Sequence, residues 1–137
     1  MAGVAQTDLT GVWDGMFSYP RAHPPTLFTA VVLDLGGRVS GTTHEVATIG
    51  AFAGQALEAA IDGARSGAAL RFTKIYDAAA PGHRSPVSYE GVLSADATEI
   101  EGEWSIPGSW SGRFIMVRSE GAAEAAEERQ RVSAPAL

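Results

Sequence analysis

A chain of 137 residues with 45% hydrophobic and 19% charged residues has the composition of one globular domain around one core, which excludes a disordered chain. The net charge of −6, with no run of Lys or Arg, excludes a basic phosphate-binding face, so nucleic acid is not expected as a partner. Cysteine is absent, which excludes disulfides, thiolate metal sites and cysteine nucleophiles. Met1 to Thr10 carry neither the basic nor the apolar part of a secretory signal, and no apolar run is long enough to span a bilayer. The expectation is a cytoplasmic protein with no membrane association.

Sixteen glycines between short alternating apolar runs predict many strands joined by tight turns. The first strands are read as Thr10–Tyr19, Thr26–Leu35 and Arg38–Glu45. Gly36-Gly37 between the second and third is a two-residue hairpin signal, because both positions tolerate positive φ. Ala56–Gly63 follows. Its segment Gln55–Ile61 also has helix propensity, but Leu57, Ala59 and Ile61 alternate and Asp62-Gly63 ends the run like a turn, which favours a strand. Ala64–Gly67 is a short turn into Ala69–Asp77. Then come Val87–Ser94, the turn Ala95–Thr98, Glu99–Ile106, the breaker Pro107-Gly108-Ser109, and Trp110–Arg118. The predicted fold is all-β: an eight-stranded antiparallel up-and-down barrel forming a single domain over residues 1–118. Residues 119–137 are a tail rich in Glu, Ala and Arg, either a short helix over Ala122–Val132 or disordered, and Pro135 cannot continue a helix.

The longer connections Pro20–Pro25, Val46–Gln55 and Ala78–Pro86, with Pro107–Ser109, fall at one end of such a meander and form a mouth over a closed base. Alternation assigns faces. The inward set is Trp13, Gly15, Phe17, Tyr19; Leu27, Thr29, Val31, Leu33, Leu35; Val39, Gly41, Thr43, Glu45; and Leu57, Ala59, Ile61. It continues with Leu70, Phe72, Lys74, Tyr76; Val87, Tyr89, Gly91, Leu93; Ile100, Gly102, Trp104, Ile106; and Trp110, Gly112, Phe114, Met116, Arg118. Met16, Phe28, Val32, Ile115 and Val117 fall outside on neighbouring strands. That contiguous apolar exterior predicts a covered face, and a homodimer through Met16, Phe28 and Val32 is expected.

Gly11-Val12-Trp13 opens the first strand and Arg118 closes the last, both at the base. The pair resembles the calycin superfamily (lipocalins, fatty-acid-binding proteins, avidins), in which a Gly-x-Trp packs under an Arg from the end of the barrel. The stretch Ile100–Gly112 is similar to small bacterial lipocalin-like proteins of unassigned function. Against the pattern of secreted lipocalins no signal peptide is expected here and no disulfide is possible, and no avidin-type biotin set maps onto the chain. The resemblance implies a barrel that binds something apolar or amphipathic, and it implies no chemistry.

Glu45 and Lys74 share an inward face near the mouth, so they form either a buried ion pair or a clamp on a polar ligand group. A charge inside an apolar barrel costs several kcal/mol unless it is paired. The bland alternative is snorkelling, with Lys74 reaching the rim and Glu45 already in the loop. Tyr19, Phe72, Tyr76, Tyr89, Trp104 and Trp110 line the candidate pocket, although core filling is the better account of Phe72 and Trp104. Phe52 belongs to Ile49–Phe52, a glycine-hinged apolar stretch that is either a lid or a plug. His23, His44 and His83 have no metal-ligand spacing, so neither metal nor cofactor is expected; His83 is a candidate acid or base over the mouth. Three functions remain open. The first is binding of a small, partly apolar ligand with a polar or anionic group inside the barrel. The second is a lipocalin-like cyclase or isomerase using Lys74, Glu45, a tyrosine or His83 for proton transfer. The third is a structural domain with a filled barrel.

Overall fold

Alternating apolar side chains along short segments fold as strands because period-two patterning gives each segment one buried face. The structure, a computed structural model, describes residues 8–20, 23–48, 53–77 and 86–119. Its eight strands are β1 (Gly11–Phe17), β2 (Thr26–Leu35), β3 (Arg38–Val46), β4 (Ala56–Ser66), β5 (Ala69–Tyr76), β6 (Val87–Leu93), β7 (Glu99–Ile106) and β8 (Trp110–Arg118). Each pairs antiparallel with its sequence neighbour, and β1 pairs with β8 to close the barrel. No helix occurs among the described residues, and none there is long and apolar enough to cross a membrane. The tail expected at 119–137 lies, after Ser119, outside the described residues.

Turns at the base are short. Gly36 and Gly37 both take positive φ (65° and 98°), which a two-residue hairpin between right-twisted strands requires. The segment 56–66 is a strand, as alternation predicted. It runs past the expected end at Gly63, however, and the turn is only Gly67-Ala68. Arg65 is held in β4 because its amide bonds the carbonyl of Gly37 at 2.7 Å and its Nε bonds Asp34 Oδ2 at 2.8 Å. The opposite end carries the connections that include residues 21–22, 49–52 and 78–85, outside the described set.

Seven strands face as alternation predicted, and β2 is reversed. The register sets Trp13 opposite Ala30 and Gly15 opposite Phe28, and directly opposed residues share a face. Thr26, Phe28, Ala30, Val32 and Asp34 are therefore inside, while Leu27, Val31, Leu33 and Leu35 are exposed. Alternation misled because β2 is apolar on both faces. Two local demands choose the face. The Phe28 ring fills the space that Gly15 leaves, where a methyl group would overlap it. Asp34 closes the base, accepting from the amides of Leu9 (3.1 Å) and Gly37 (2.9 Å) besides Arg65. Burial pushes the Asp34 carboxyl up, but the Arg65 and amide hydrogen bonds outweigh it and hold the group below the usual carboxylate range. Phe28 and Val32 are thus core residues and cannot form the outer face expected for a dimer. The apolar exterior instead runs through Leu27, Val31, Leu33 and Val117, with Met16 between Leu27 and Ile115.

Trp13 and Arg118 meet at the base as the sequence suggested. Trp13 is fully buried, its Nε1 donates to Leu9 O at 2.9 Å, and the Arg118 guanidinium lies 4.5 Å from its ring centre. Arg118 also donates to Ala97 O and Asp8 O, at 3.1 and 3.0 Å, tying the last strand to the β6–β7 turn and to the N-terminal segment.

Candidate functional site

Inward positions near the mouth ends of β3 and β5 bring a carboxylate and an ammonium together across β4. Lys74 Nζ donates to Glu45 Oε1 at 2.5 Å, and Tyr76 Oη donates to Glu45 Oε2 at 2.9 Å. The Lys74 and Glu45 side chains are 1% and 3% exposed, so Lys74 does not snorkel and Glu45 belongs to β3 rather than to a loop. Four aromatic faces surround the ammonium: Tyr76 at 4.7 Å, Phe17 at 4.9 Å, Phe28 at 5.3 Å and Tyr89 at 5.8 Å from Nζ to ring centre. Such faces stabilise a cation where water is excluded. Burial pulls the Lys74 ammonium below the usual lysine range, and Glu45 only partly offsets this. Burial, then the Glu45 charge, pushes the phenols of Tyr76 and Tyr89 well above the usual tyrosine range.

A second cluster forms the rim. Half-buried Tyr19 and Trp110 lie 5.1 Å apart, and Trp104 meets Trp110 edge-on at 5.6 Å. The Tyr19 and Thr26 hydroxyls are hydrogen-bonded at 3.1 Å, and Thr26 and Thr48 at 2.8 Å. Phe17 touches both clusters, lying 5.5 Å from Tyr19. Trp104 is buried with its Nε1 on Ser18 O at 2.8 Å, and Phe72 stacks on Tyr89 at 4.8 Å; both are core residues. At the base the side chains pack closely, leaving a void of about 10 Å³ among residues such as Trp13, Val39, Phe72 and Ile100. That is room for one water at most.

Of the predicted site residues, the structure joins Glu45, Lys74, Tyr76 and Tyr89 in one cluster and Tyr19, Trp104 and Trp110 in another. Phe52 and His83 lie outside the described residues. His44 points outward to Glu58 at 3.3 Å, and exposed His23 meets Tyr19 edge-on at 5.9 Å. Among the described residues no group of three His, Cys, Asp or Glu side chains could hold a metal ion. Sequence reasoning missed Phe28, whose signal was the inward Gly15 opposite it, and Thr43. The Thr43 hydroxyl is buried with no hydrogen-bond partner among the described residues, on the inner wall two residues before Glu45. It also missed that Lys74 is the only lysine in the chain.

A closed, eight-stranded antiparallel β-barrel with a buried, ring-enclosed ion pair towards one end is the class that fold and site define. Among solved structures the chain is similar to one described as a de novo designed fluorescence-activating β-barrel, with a TM-score of 0.61 and 14% identity, over 86% of this chain and 99% of that one. At that identity the likeness concerns the fold alone. No protein-family model matches the sequence, and no curated protein does.

Proposed function

We propose that the protein binds a small, partly apolar molecule whose polar or anionic group is taken by Lys74 at the mouth end of the barrel. The observation that carries this reading is the Lys74–Glu45 pair, wholly buried among rings. An apolar pair of similar volume would hold the barrel at least as well, so stability does not account for it, and buried ionisable groups concentrate at functional sites. A ligand carboxylate, enolate or phenolate replaces Glu45 as the partner of the ammonium. The apolar body lies on the half-buried rim of Tyr19, Tyr76 and Trp110. The fluorescence-activating design and the Trp13–Arg118 base both favour a calycin-like binding barrel. Native mass spectrometry of protein purified from its own host tests the reading. A retained small molecule that is lost in Lys74→Met supports it, and retention by that variant overturns it.

The aromatic filling of the lower barrel favours a second reading, a structural domain without a ligand, and an empty mass spectrum would support that one. For partners we propose a homodimer through the corrected outer face carrying Leu27, Val31, Leu33 and Val117. Light scattering that finds a monomer at micromolar concentration overturns it.

A further inference from the structure

Every exposed cation among the described residues is an arginine or a histidine, and the one lysine of the sequence sits inside the barrel. A guanidinium would serve a buried ion pair at least as well and cannot be deprotonated, whereas a primary amine gives up its proton when desolvated and becomes a nucleophile. We propose that Lys74 is a carbonyl-trapping amine, forming a reversible imine with a planar conjugated aldehyde that enters from the mouth, with Glu45 as proton partner and counter-ion.

The surroundings supply what that chemistry needs. Glu45 Oε1 lies 2.5 Å from Nζ, close enough to take the ammonium proton and return it. In the first step the Nζ lone pair attacks the aldehyde carbon while the proton rests on Glu45. The C–N bond forms and the carbonyl π pair moves to oxygen, which takes up the proton released from nitrogen. In the second step Glu45 returns its proton to that hydroxyl, the C–O bond breaks, and water leaves an iminium paired with the Glu45 carboxylate. No oxidant or reductant is involved. The four rings around Nζ stabilise the iminium as they do the ammonium. Burial already pulls the Lys74 ammonium towards its neutral form. Thr43, orphaned on the same inner wall and in register with Tyr76 across Ala59, offers a polar group for the departing oxygen. An aldehyde with a flat apolar body suits the half-buried aromatic rim.

The inference rests on the mouth admitting a ligand, as proposed above, but not on recognition of an anion. The full chain is incubated with cinnamaldehyde and cyanoborohydride at neutral pH in native buffer, then digested and mapped by mass. The expected result is a reduced adduct on the peptide carrying Lys74, scored apart from any adduct on the α-amine. It should be absent from the Lys74→Arg chain and form at least about tenfold more slowly in Glu45→Gln. Circular dichroism confirms that both variants are folded. Without reductant, a red-shifted absorbance that Lys74→Arg lacks reports the protonated imine. Labelling confined to the α-amine, or appearing at Lys74 only in denaturant, overturns the inference. Binding of cinnamate, followed by tryptophan fluorescence, separates the two readings. If cinnamate binds and no adduct forms, the imine fails and the anion site stands. If neither cinnamate nor the aldehyde engages Lys74, both fail.

Discussion

Lys74→Met keeps an unbranched stem of similar length and deletes the ammonium beneath the mouth. Glu45 is left buried, with the Tyr76 hydroxyl still donating to it. Removing one member of a buried ion pair costs about 3–5 kcal/mol, a large part of the roughly 5–15 kcal/mol that holds a domain folded. Glu45→Leu should cost less. The stranded ammonium still has four ring faces, worth about 0.5–2 kcal/mol, and it can shed its proton. Lys74→Met/Glu45→Leu removes both charges and breaks the Tyr76 hydrogen bond to Glu45, a loss of about 1 kcal/mol. The double variant should therefore lie within about 1–2 kcal/mol of the parent, or above it. Urea titration of all four proteins at neutral pH, followed by tryptophan fluorescence, gives the coupling energy directly. If Lys74→Met is as stable as the parent and the coupling energy is below about 0.5 kcal/mol, the pair is not desolvated and the reasoning fails.

Trp13→Ala should cost about 3–5 kcal/mol, because it empties a fully buried site and removes the indole donor from Leu9 O; a melting temperature equal to the parent's would contradict the base assignment. Gly15→Val should displace the Phe28 ring from the cage and destabilise the fold by at least about 1–3 kcal/mol, read by calorimetry. Stability should fall above about pH 10, where the unfolded chain releases tyrosine protons that folded Tyr76 and Tyr89 retain. Phenolate absorbance from those two rings should then appear only together with unfolding. Asp34→Asn should lower stability at neutral pH by about 1.5–3 kcal/mol, and the difference should vanish in acid as the parent's Asp34 protonates.

The barrel was legible because its punctuation is local: Gly36-Gly37 names its own turn, and three strands, β2, β7 and β8, match their predicted bounds. The convergence of Lys74 and Glu45 was legible too, since inward parity and depth on β3 and β5 fix both independently. What two acids or bases do once adjacent was not. Whether Lys74 would pair inside or reach the rim depends on barrel diameter and on the rings around it, and one of those rings, Phe28, stood on the strand whose sense was misread. Face parity is carried by the contrast between the two faces, and on β2 that contrast is nearly nil. Its inner residues include Asp34 and its outer ones Leu27, Val31 and Leu33. Thr43 went unnoticed for a related reason: a threonine at an inward β position looks like a packing residue until its hydroxyl is found to lack a partner.

The same two-faced β2 has a kinetic consequence. A chain that docks this strand one residue out of step turns Leu27, Val31 and Leu33 into the barrel and still buries a mostly apolar face. The misdocked state lacks the Phe28 ring over Gly15 and the Asp34 bonds to Leu9, Gly37 and Arg65, and little else distinguishes it at the stage of collapse. Refolding should therefore partition, with a fraction of molecules delayed until β2 detaches and pairs again. Asp34→Asn should enlarge that slow fraction more than it slows the fast one, because Asp34 penalises the slipped register rather than assisting the first collapse.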